Sequence, residues 1–141
     1  MKTEGGFLVA KVHQLSGRVF NQLLRNSGIE FNSSQGRILF VLWKEDNVPI
    51  KKLSQETQLS KSTLTSMLER LESSGHILRL PSEQDRRVTY VRLTEKNKEL
   101  KQRYEEISET MTQLYYRGFS GEEITEFEDY LRRILDNLKD V

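Results

Sequence analysis

The apolar residues near the start of the chain follow a helical period. They recur every three or four residues within 7–26, at Leu8, Val12, Leu15, Val19 and Leu23. This spacing places them on one face of a helix, which we expect to end at Asn26-Ser27-Gly28. A second helix is predicted to start at Ser33 or Ser34, either of which can cap it, and to run through the apolar block that ends at Trp43.

Two more helices are predicted in the middle of the chain, with a short connection between them. Residues 50–57 form a short amphipathic stretch in which Leu53 faces inward. Ser60 then caps the most regular helix of the chain, and Gly75 follows that helix as a residue suited to the left-handed conformation. Two helices joined in this way are typical of a helix-turn-helix.

The pattern changes to extended after Gly75. Residues 76–80 and 87–93 are two extended runs, the second rich in β-branched and aromatic residues, and they flank the polar turn 81–86, which predicts a β-hairpin. Thr94 can cap a long helix beyond it, and Ser120 with Glu123 forms a capping box for a last helix. Three helices followed by a hairpin form a winged helix-turn-helix, so we expect a mainly α fold with a small β-hairpin wing.

The helices at the two ends of the chain have apolar stripes but no core of their own. The stripe of the last helix comprises Ile124, Phe127, Leu131, Ile134, Leu135 and Leu138. Such stripes must pack on each other or on a partner subunit. We therefore predict one domain over 1–141, with a winged DNA-binding part at 30–98 and dimerisation helices at 5–28 and 99–141. A monomeric helical bundle is the alternative.

Charge is distributed unevenly along the chain. The 141 residues carry a net charge of +1. However, residues 51–92 hold eight basic and five acidic side chains, whereas 95–141 hold eight basic and twelve acidic ones. A basic middle next to an acidic end suits a protein that presents one face to a polyanion. The counts alone fit ordinary surface charge equally well.

The helix after Ser60 has a small, hydroxylated outer face. At 100° per residue, Leu64, Leu68 and Leu71 share the inner face, so the remaining side chains point away from it. Short hydroxyl side chains let a helix lie close in a DNA major groove, and basic residues beside them contact phosphates. The simpler interpretation is that the hydroxyls only cap the helix. The predicted DNA-binding residues of this helix are Lys61, Ser62, Thr63, Thr65, Ser66 and Arg70.

The tip of the predicted hairpin carries the sequence Asp85-Arg86-Arg87. Arginine suits a narrow, A·T-rich minor groove, where the negative potential is strongest. We predict that Arg86 and Arg87 bind DNA and that Asp85 is a brace that accepts hydrogen bonds from an arginine and holds it in place. The alternative is a surface ion pair of little energetic value.

Other classes of protein are disfavoured by what the sequence lacks. It has no cysteine and two histidines, His13 and His76, which we interpret as incidental. No P-loop, G-x-S-x-G or H-E-x-x-H motif is present, so we expect no catalysis, no cofactor and no metal site. No apolar run is long enough for a membrane span and the N-terminus does not resemble a signal peptide, so we expect a cytoplasmic protein. A winged domain that binds proteins instead of DNA is the alternative function.

These segments together resemble the MarR family of bacterial regulators. The stretch from Ser60 to Thr65, followed by Leu68-Glu69-Arg70-Leu71-Glu72, is similar to the family's recognition helix, and Asp85-Arg86-Arg87 with Leu93-Thr94 is similar to its wing signature. The resemblance implies a dimer that binds a pseudo-palindromic DNA site as a repressor or activator. It also implies release by a small aromatic or phenolic effector bound between the winged part and the dimer helices.

Three departures qualify the resemblance. The recognition helix is most similar to the branch of organic-hydroperoxide sensors, but those proteins sense oxidant with a cysteine that this chain lacks. The ligand cluster of the zinc-responsive branch is also missing. Asn97 stands where the family often has glycine, a small departure that leaves the resemblance intact.

Overall fold

A computed structural model describes residues 1–141 as a mainly helical chain with one small sheet. The predicted fold class, a winged helix-turn-helix with further helices at both ends, is confirmed. The elements in chain order are α1 (Gly5–Asn26), α2 (Ser33–Lys44), β1 (Val48–Pro49), α3 (Ile50–Thr57), α4 (Lys61–Ser73), β2 (Ile77–Pro81), β3 (Thr89–Leu93), α5 (Glu95–Tyr115) and α6 (Gly121–Lys139).

Helix α2 begins at Ser33, within the predicted range, but its cap is Asn32 and not Ser33 or Ser34. The Asn32 Oδ1 atom accepts a hydrogen bond from the Gln35 backbone N–H at 2.9 Å, and the Gln35 side chain accepts from the Asn32 N–H at 3.0 Å. This reciprocal capping box satisfies two amide groups that the helix itself leaves unpaired. The Ser33 N–H takes no part in this capping box and donates to the Asn21 side-chain oxygen of α1.

The turn between α3 and α4 has the tight geometry that a helix-turn-helix requires. Gln58 ends α3 in the left-handed conformation, with φ of 57°, and its N–H donates to the Ser54 carbonyl. Ser60 then caps α4 by accepting from the Thr63 N–H, as predicted. Gly75 follows α4 with φ of +81°, which is the predicted glycine position.

The sheet has three antiparallel strands in the order β1-β3-β2. The hairpin of β2 and β3 was predicted, with Ile77 opposite Leu93 and Pro81 opposite Thr89. The two-residue strand β1 was not predicted. It pairs Val48 with Val91 on the other side of β3, so the start of α3 is attached to the base of the wing.

The buried core lies among α2, α3, α4 and the sheet. Its fully buried members include Ile38, Leu39, Leu42, Leu53, Leu64, Leu68, Leu71, Ile77 and Val91. Trp43 and Tyr104 pack against it in an aromatic cluster with Phe20 and Phe31. These two aromatic residues therefore contribute to packing.

The chain divides into two compact units, Met1–Ser108 and Glu109–Val141. Within each unit, apolar side chains of the terminal helices are exposed. In α1 they are Phe7, Leu8, Val9, Val12, Leu15 and Val19, and in α6 they are Ile134, Leu135 and Leu138. The single chain thus leaves these α6 residues uncovered. No helix has the length and apolar character that crossing a membrane would need.

Candidate nucleic-acid interface

Helix α4 separates its residues cleanly into a buried and an exposed side. Leu64, Leu68 and Leu71 are at most 1% exposed and anchor the helix in the core. All six residues that the sequence predicts for DNA binding on this helix lie on the exposed side. The anchored side keeps the exposed side in a constant orientation, because rotating α4 would remove three leucines from the core.

The exposed side of α4 forms two adjoining shallow grooves. One is lined by Lys61, Ser62, Thr65, Ser66 and Glu69. The other includes Thr63 and Arg70. The structure therefore brings all the predicted residues of this helix together on a continuous surface of hydroxyl groups with a basic residue near each end. Glu69 was not among the predicted residues, although its outward position was evident from the helical period.

Thr63 has a capping role as well as an exposed position. The Ser60 hydroxyl accepts from the Thr63 N–H at 3.3 Å and donates to the Thr63 hydroxyl oxygen at 2.9 Å. The capping interpretation thus applies to Ser60 and Thr63. Ser66 and Thr65 take no part in this cap, and both residues line the groove.

The tip of the wing is a compact turn between β2 and β3. The Ser82 hydroxyl accepts hydrogen bonds from the N–H groups of Gln84 and Asp85, both at 3.2 Å. The Val88 N–H donates to the Asp85 carbonyl, and the Ser82 N–H donates to the Val88 carbonyl. These hydrogen bonds of the backbone and the Ser82 side chain order the turn.

Asp85 accepts three hydrogen bonds from Arg87 at this tip. Its Oδ1 atom accepts from the Arg87 backbone N–H at 3.0 Å and from Nε at 3.1 Å, and its Oδ2 atom accepts from Nη2 at 3.1 Å. The side-chain and then the backbone hydrogen bonds from Arg87 lower the pKa of Asp85. The Arg87 side chain is 90% exposed, and Arg86 beside it is also exposed.

A second carboxylate links α4 to the first strand of the wing. Glu72 accepts from the Arg79 backbone N–H at 3.0 Å, from Nη2 at 2.9 Å and from Nε at 3.3 Å. The side-chain and backbone hydrogen bonds from Arg79 lower the pKa of Glu72. We call this pair the Glu72–Arg79 clamp. Neither residue was among the site residues predicted from the sequence.

Comparison with known proteins identifies the family. The sequence profile described as MarR family matches residues 31–89. The organic hydroperoxide resistance transcriptional regulator of Bacillus subtilis is 34% identical over 100 residues, which cover 71% of this chain and 67% of that protein. The chain belongs to the MarR family. The resemblance inferred from the wing signature and the recognition helix is thereby confirmed.

Other MarR-type proteins extend the match over more of the chain. The transcriptional regulator TtmR of Methylorubrum extorquens is 32% identical over 132 residues, or 94% of this chain, although the match spans 62% of TtmR. A mutant MarR from E. coli, solved in complex with operator DNA, superposes with a TM-score of 0.84 at 24% identity and covers 92% of both chains. At that identity the likeness establishes the fold.

Proposed function

We propose that the chain is a sequence-specific, DNA-binding transcriptional regulator that acts as a homodimer, and that it is a repressor. The observation that carries the proposal is the exposed side of α4, with its hydroxyl groups and flanking basic residues, held over three buried leucines. The named relatives, both transcriptional regulators, support it.

In this proposal α4 enters the major groove. Ser62, Thr65 and Ser66 are short enough for the helix to approach the base edges, to which hydroxyls can donate or from which they can accept. Lys61 and Arg70 contact phosphates on either side. Glu69 lies in the same groove and would be repelled by phosphate, so it suits the amino group of a cytosine.

The wing contributes a second contact through its arginines. A guanidinium group has five N–H donors, and two of those of Arg87 are used in hydrogen bonds to Asp85. The remaining three point outward from a side chain whose position is restrained. We propose that Arg87, braced by Asp85, enters the adjacent minor groove, with Arg86 contributing charge at the same place.

Dimerisation would cover the apolar stripes that the single chain leaves exposed. Leu8, Leu15 and Leu138 are each about half exposed or more. Isolated exposed leucines are common, but stripes on two terminal helices are typical of an interface. A two-fold dimer presents two equivalent copies of α4, so the DNA site should be an inverted repeat. We propose the segments 5–28 and 99–141 as the dimerisation helices and 30–98 as the DNA-binding part.

Release by a small aromatic or phenolic effector completes the proposal and rests on the family membership. It predicts that some such compound lowers operator affinity without dissociating the dimer. Screening a set of benzoates and phenols against the bound complex would test this part separately from DNA binding.

The central test is selection of binding sites from a pool of random duplexes. We expect an inverted repeat of about 16–22 base pairs with half-sites about one helical turn apart. Inserting about five base pairs at its centre places the half-sites on opposite faces of the duplex and should abolish tight binding. Failure to enrich any sequence would contradict the proposal and favour a winged domain that binds proteins.

Substitutions in the wing test which residues bind the DNA. Arg87→Ala should weaken operator binding by about 1–3 kcal/mol if the side chain enters a groove. Asp85→Ala should weaken it as well, because the arginine loses its brace. Arg117→Ala, which removes one exposed arginine from the other compact unit, is the matched control and should bind like the wild type. Wild-type affinity in both wing variants would refute the role of the wing.

A further inference from the structure

A chain of hydrogen bonds joins three side chains inside the first unit. The Trp43 indole Nε1–H donates to the Asn97 Oδ1 atom at 2.8 Å, and the Asn97 Nδ2 atom lies 3.1 Å from His76 Nδ1. His76 and Asn97 are completely buried. From the sequence, His76 was interpreted as incidental and Asn97 as a small departure from the family pattern. In the structure Asn97 is a buried amide that must find hydrogen-bond partners, and it links two side chains.

The donors and acceptors in this network determine the tautomer of His76. An indole N–H can only donate, so the Asn97 oxygen faces Trp43 and the Asn97 amino group faces His76. That amino group can only donate, so His76 Nδ1 must accept. The imidazole is therefore neutral and carries its proton on Nε2.

The other side of the His76 ring faces charged groups at the surface. His76 Nε2 has no hydrogen-bond partner, and the nearest carboxylate oxygen, on Glu30, lies 3.7 Å away. Lys96 of α5 lies 3.5 Å from the same carboxylate and donates to the Ser74 carbonyl. The faces of the ring are apolar, with Phe31 packed edge-on at a centroid distance of 5.2 Å.

A second proton on His76 has no place in this arrangement. It would sit on Nδ1 and point at the Asn97 amino group, which is itself a donor. Turning the amide over would satisfy His76 but would then set the Asn97 amino group against the Trp43 N–H. Burial, and after it the charge of Lys96, lowers the pKa of His76, while Glu30 acts in the opposite direction.

His76 also connects the parts of the molecule that would contact DNA. Its N–H donates to the Leu71 carbonyl of α4, and its own carbonyl accepts from the Thr94 N–H just before α5. Strand β2 of the wing starts at the next residue. A displacement of the His76 ring would therefore be transmitted to the end of α4, to the wing and to α5 together.

We propose that His76 and Asn97 are positioning residues for DNA binding, and that they hold α4, the wing and α5 in the binding arrangement only while His76 is neutral. Acidification then opens the network and releases DNA. The inference rests on the proposed function. The direction of the pH dependence follows from the lowered pKa of His76 in the closed arrangement. Neutral His76 favours this arrangement above its ordinary pKa of 6.5, and the arrangement loses this stabilisation as the pH falls.

The first experiment needs no DNA, because Trp43 is the only tryptophan of the chain. Its fluorescence should change between about pH 7.5 and pH 5, a range that spans the ordinary titration of histidine. His13→Gln removes the other, exposed histidine and should leave the change intact. His76→Asn keeps an acceptor near the position of Nδ1 but cannot titrate, so it should abolish the change. A change that survives in His76→Asn would overturn the proposal.

The second experiment measures affinity for a duplex selected at neutral pH. For the wild type and His13→Gln, affinity should fall with acidification by up to about tenfold per pH unit for each subunit, the limit for one coupled proton. For His76→Asn it should fall much less. A fluorescence change without a loss of affinity would overturn the release mechanism and leave the proposed function standing. Selection of no duplex at any pH would overturn both.

Asn97→Asp tests the role of the amide. A carboxylate at this position accepts from the indole and from a protonated imidazole, so acidification should no longer open the network and the fluorescence change should be lost. A fluorescence change like that of the wild type in the folded variant would contradict the role of Asn97. The wild-type titration involves no substitution, so the proposal is tested even if this variant does not fold.

Discussion

Removing the Glu72–Arg79 clamp should cost both stability and DNA affinity. The Glu72 carboxylate accepts three hydrogen bonds from Arg79 of β2. One of them comes from the Arg79 backbone N–H and two come from its guanidinium group. Glu72→Ala leaves that N–H and the guanidinium without their acceptor. Because Glu72 belongs to α4 and Arg79 to the wing, the loss should also loosen the wing relative to the helix.

The expected loss of stability follows from the number of hydrogen bonds and from the exposure of the two side chains. Hydrogen bonds to charged groups contribute about 1.5–3 kcal/mol each when well buried. The two side chains are 35% and 28% exposed, so solvent replaces part of what is lost. We therefore expect Glu72→Ala to lower the free energy of unfolding by about 1–2 kcal/mol. Since the pKa of Glu72 is lowered from 4.5, this contribution is present above that pH and is lost as the pH falls.

A double-mutant cycle provides the assay. Urea unfolding of Glu72→Ala, Arg79→Ala and the double variant, at one fixed protein concentration, should give a coupling energy of about 1 kcal/mol. The exposed pair Lys101–Glu105, 3.8 Å apart on α5, is the matched control and should couple by less than about 0.5 kcal/mol. A clamp coupling no larger than the control would refute the reasoning, as would unchanged operator affinity in Glu72→Ala.

Three further outcomes are expected. Gly36→Ala should lower the free energy of unfolding by about 1–3 kcal/mol, because its Cβ would clash with the Tyr104 hydroxyl and lie 2.9 Å from two carbons of that tightly packed ring. An unchanged urea midpoint would contradict this. Light scattering of the wild type should give twice the chain mass of 16.6 kDa. Leu15→Glu in the α1 stripe should give a smaller mass, whereas the control Gln14→Glu should not. A monomeric wild type would exclude the dimer. Operator binding should resist mild peroxide, since the chain has no cysteine, and release reversed by thiols would contradict this.

The helices and the hairpin could be predicted because their signals are local and repeated. The leucines of α4 recur with the helical period, and Ser60 and Gly75 mark its ends. Strand β1 could not be predicted, since two residues carry no period and Val48 becomes a strand only by pairing with Val91. The cap of α2 was misplaced by one residue because Asn32, Ser33 and Ser34 are all good caps, and only Gln35 three residues later distinguishes them.

The exposed side of α4 could be predicted from the period alone, whereas the side-chain pairs that support it could not. His76 and Asn97 are 21 residues apart, and their hydrogen bond depends on how α5 packs. One signal was available: Asn97 precedes Leu100 by three residues and so continues the helical spacing of Leu100, Tyr104 and Ile107 in α5. A polar residue in that position is a candidate for a buried hydrogen-bond network.

The two prolines of the chain occupy the two edge strands of the sheet. Pro49 is in β1 and Pro81 ends β2, while β3 lies between them. Edge strands expose unpaired backbone groups onto which another chain can add a strand, and a proline supplies no N–H for such pairing. Each edge of the sheet is therefore a poor template for growth into a larger sheet. Two copies of the protein that come close together are thus poorly equipped to join edge to edge into one continuous sheet.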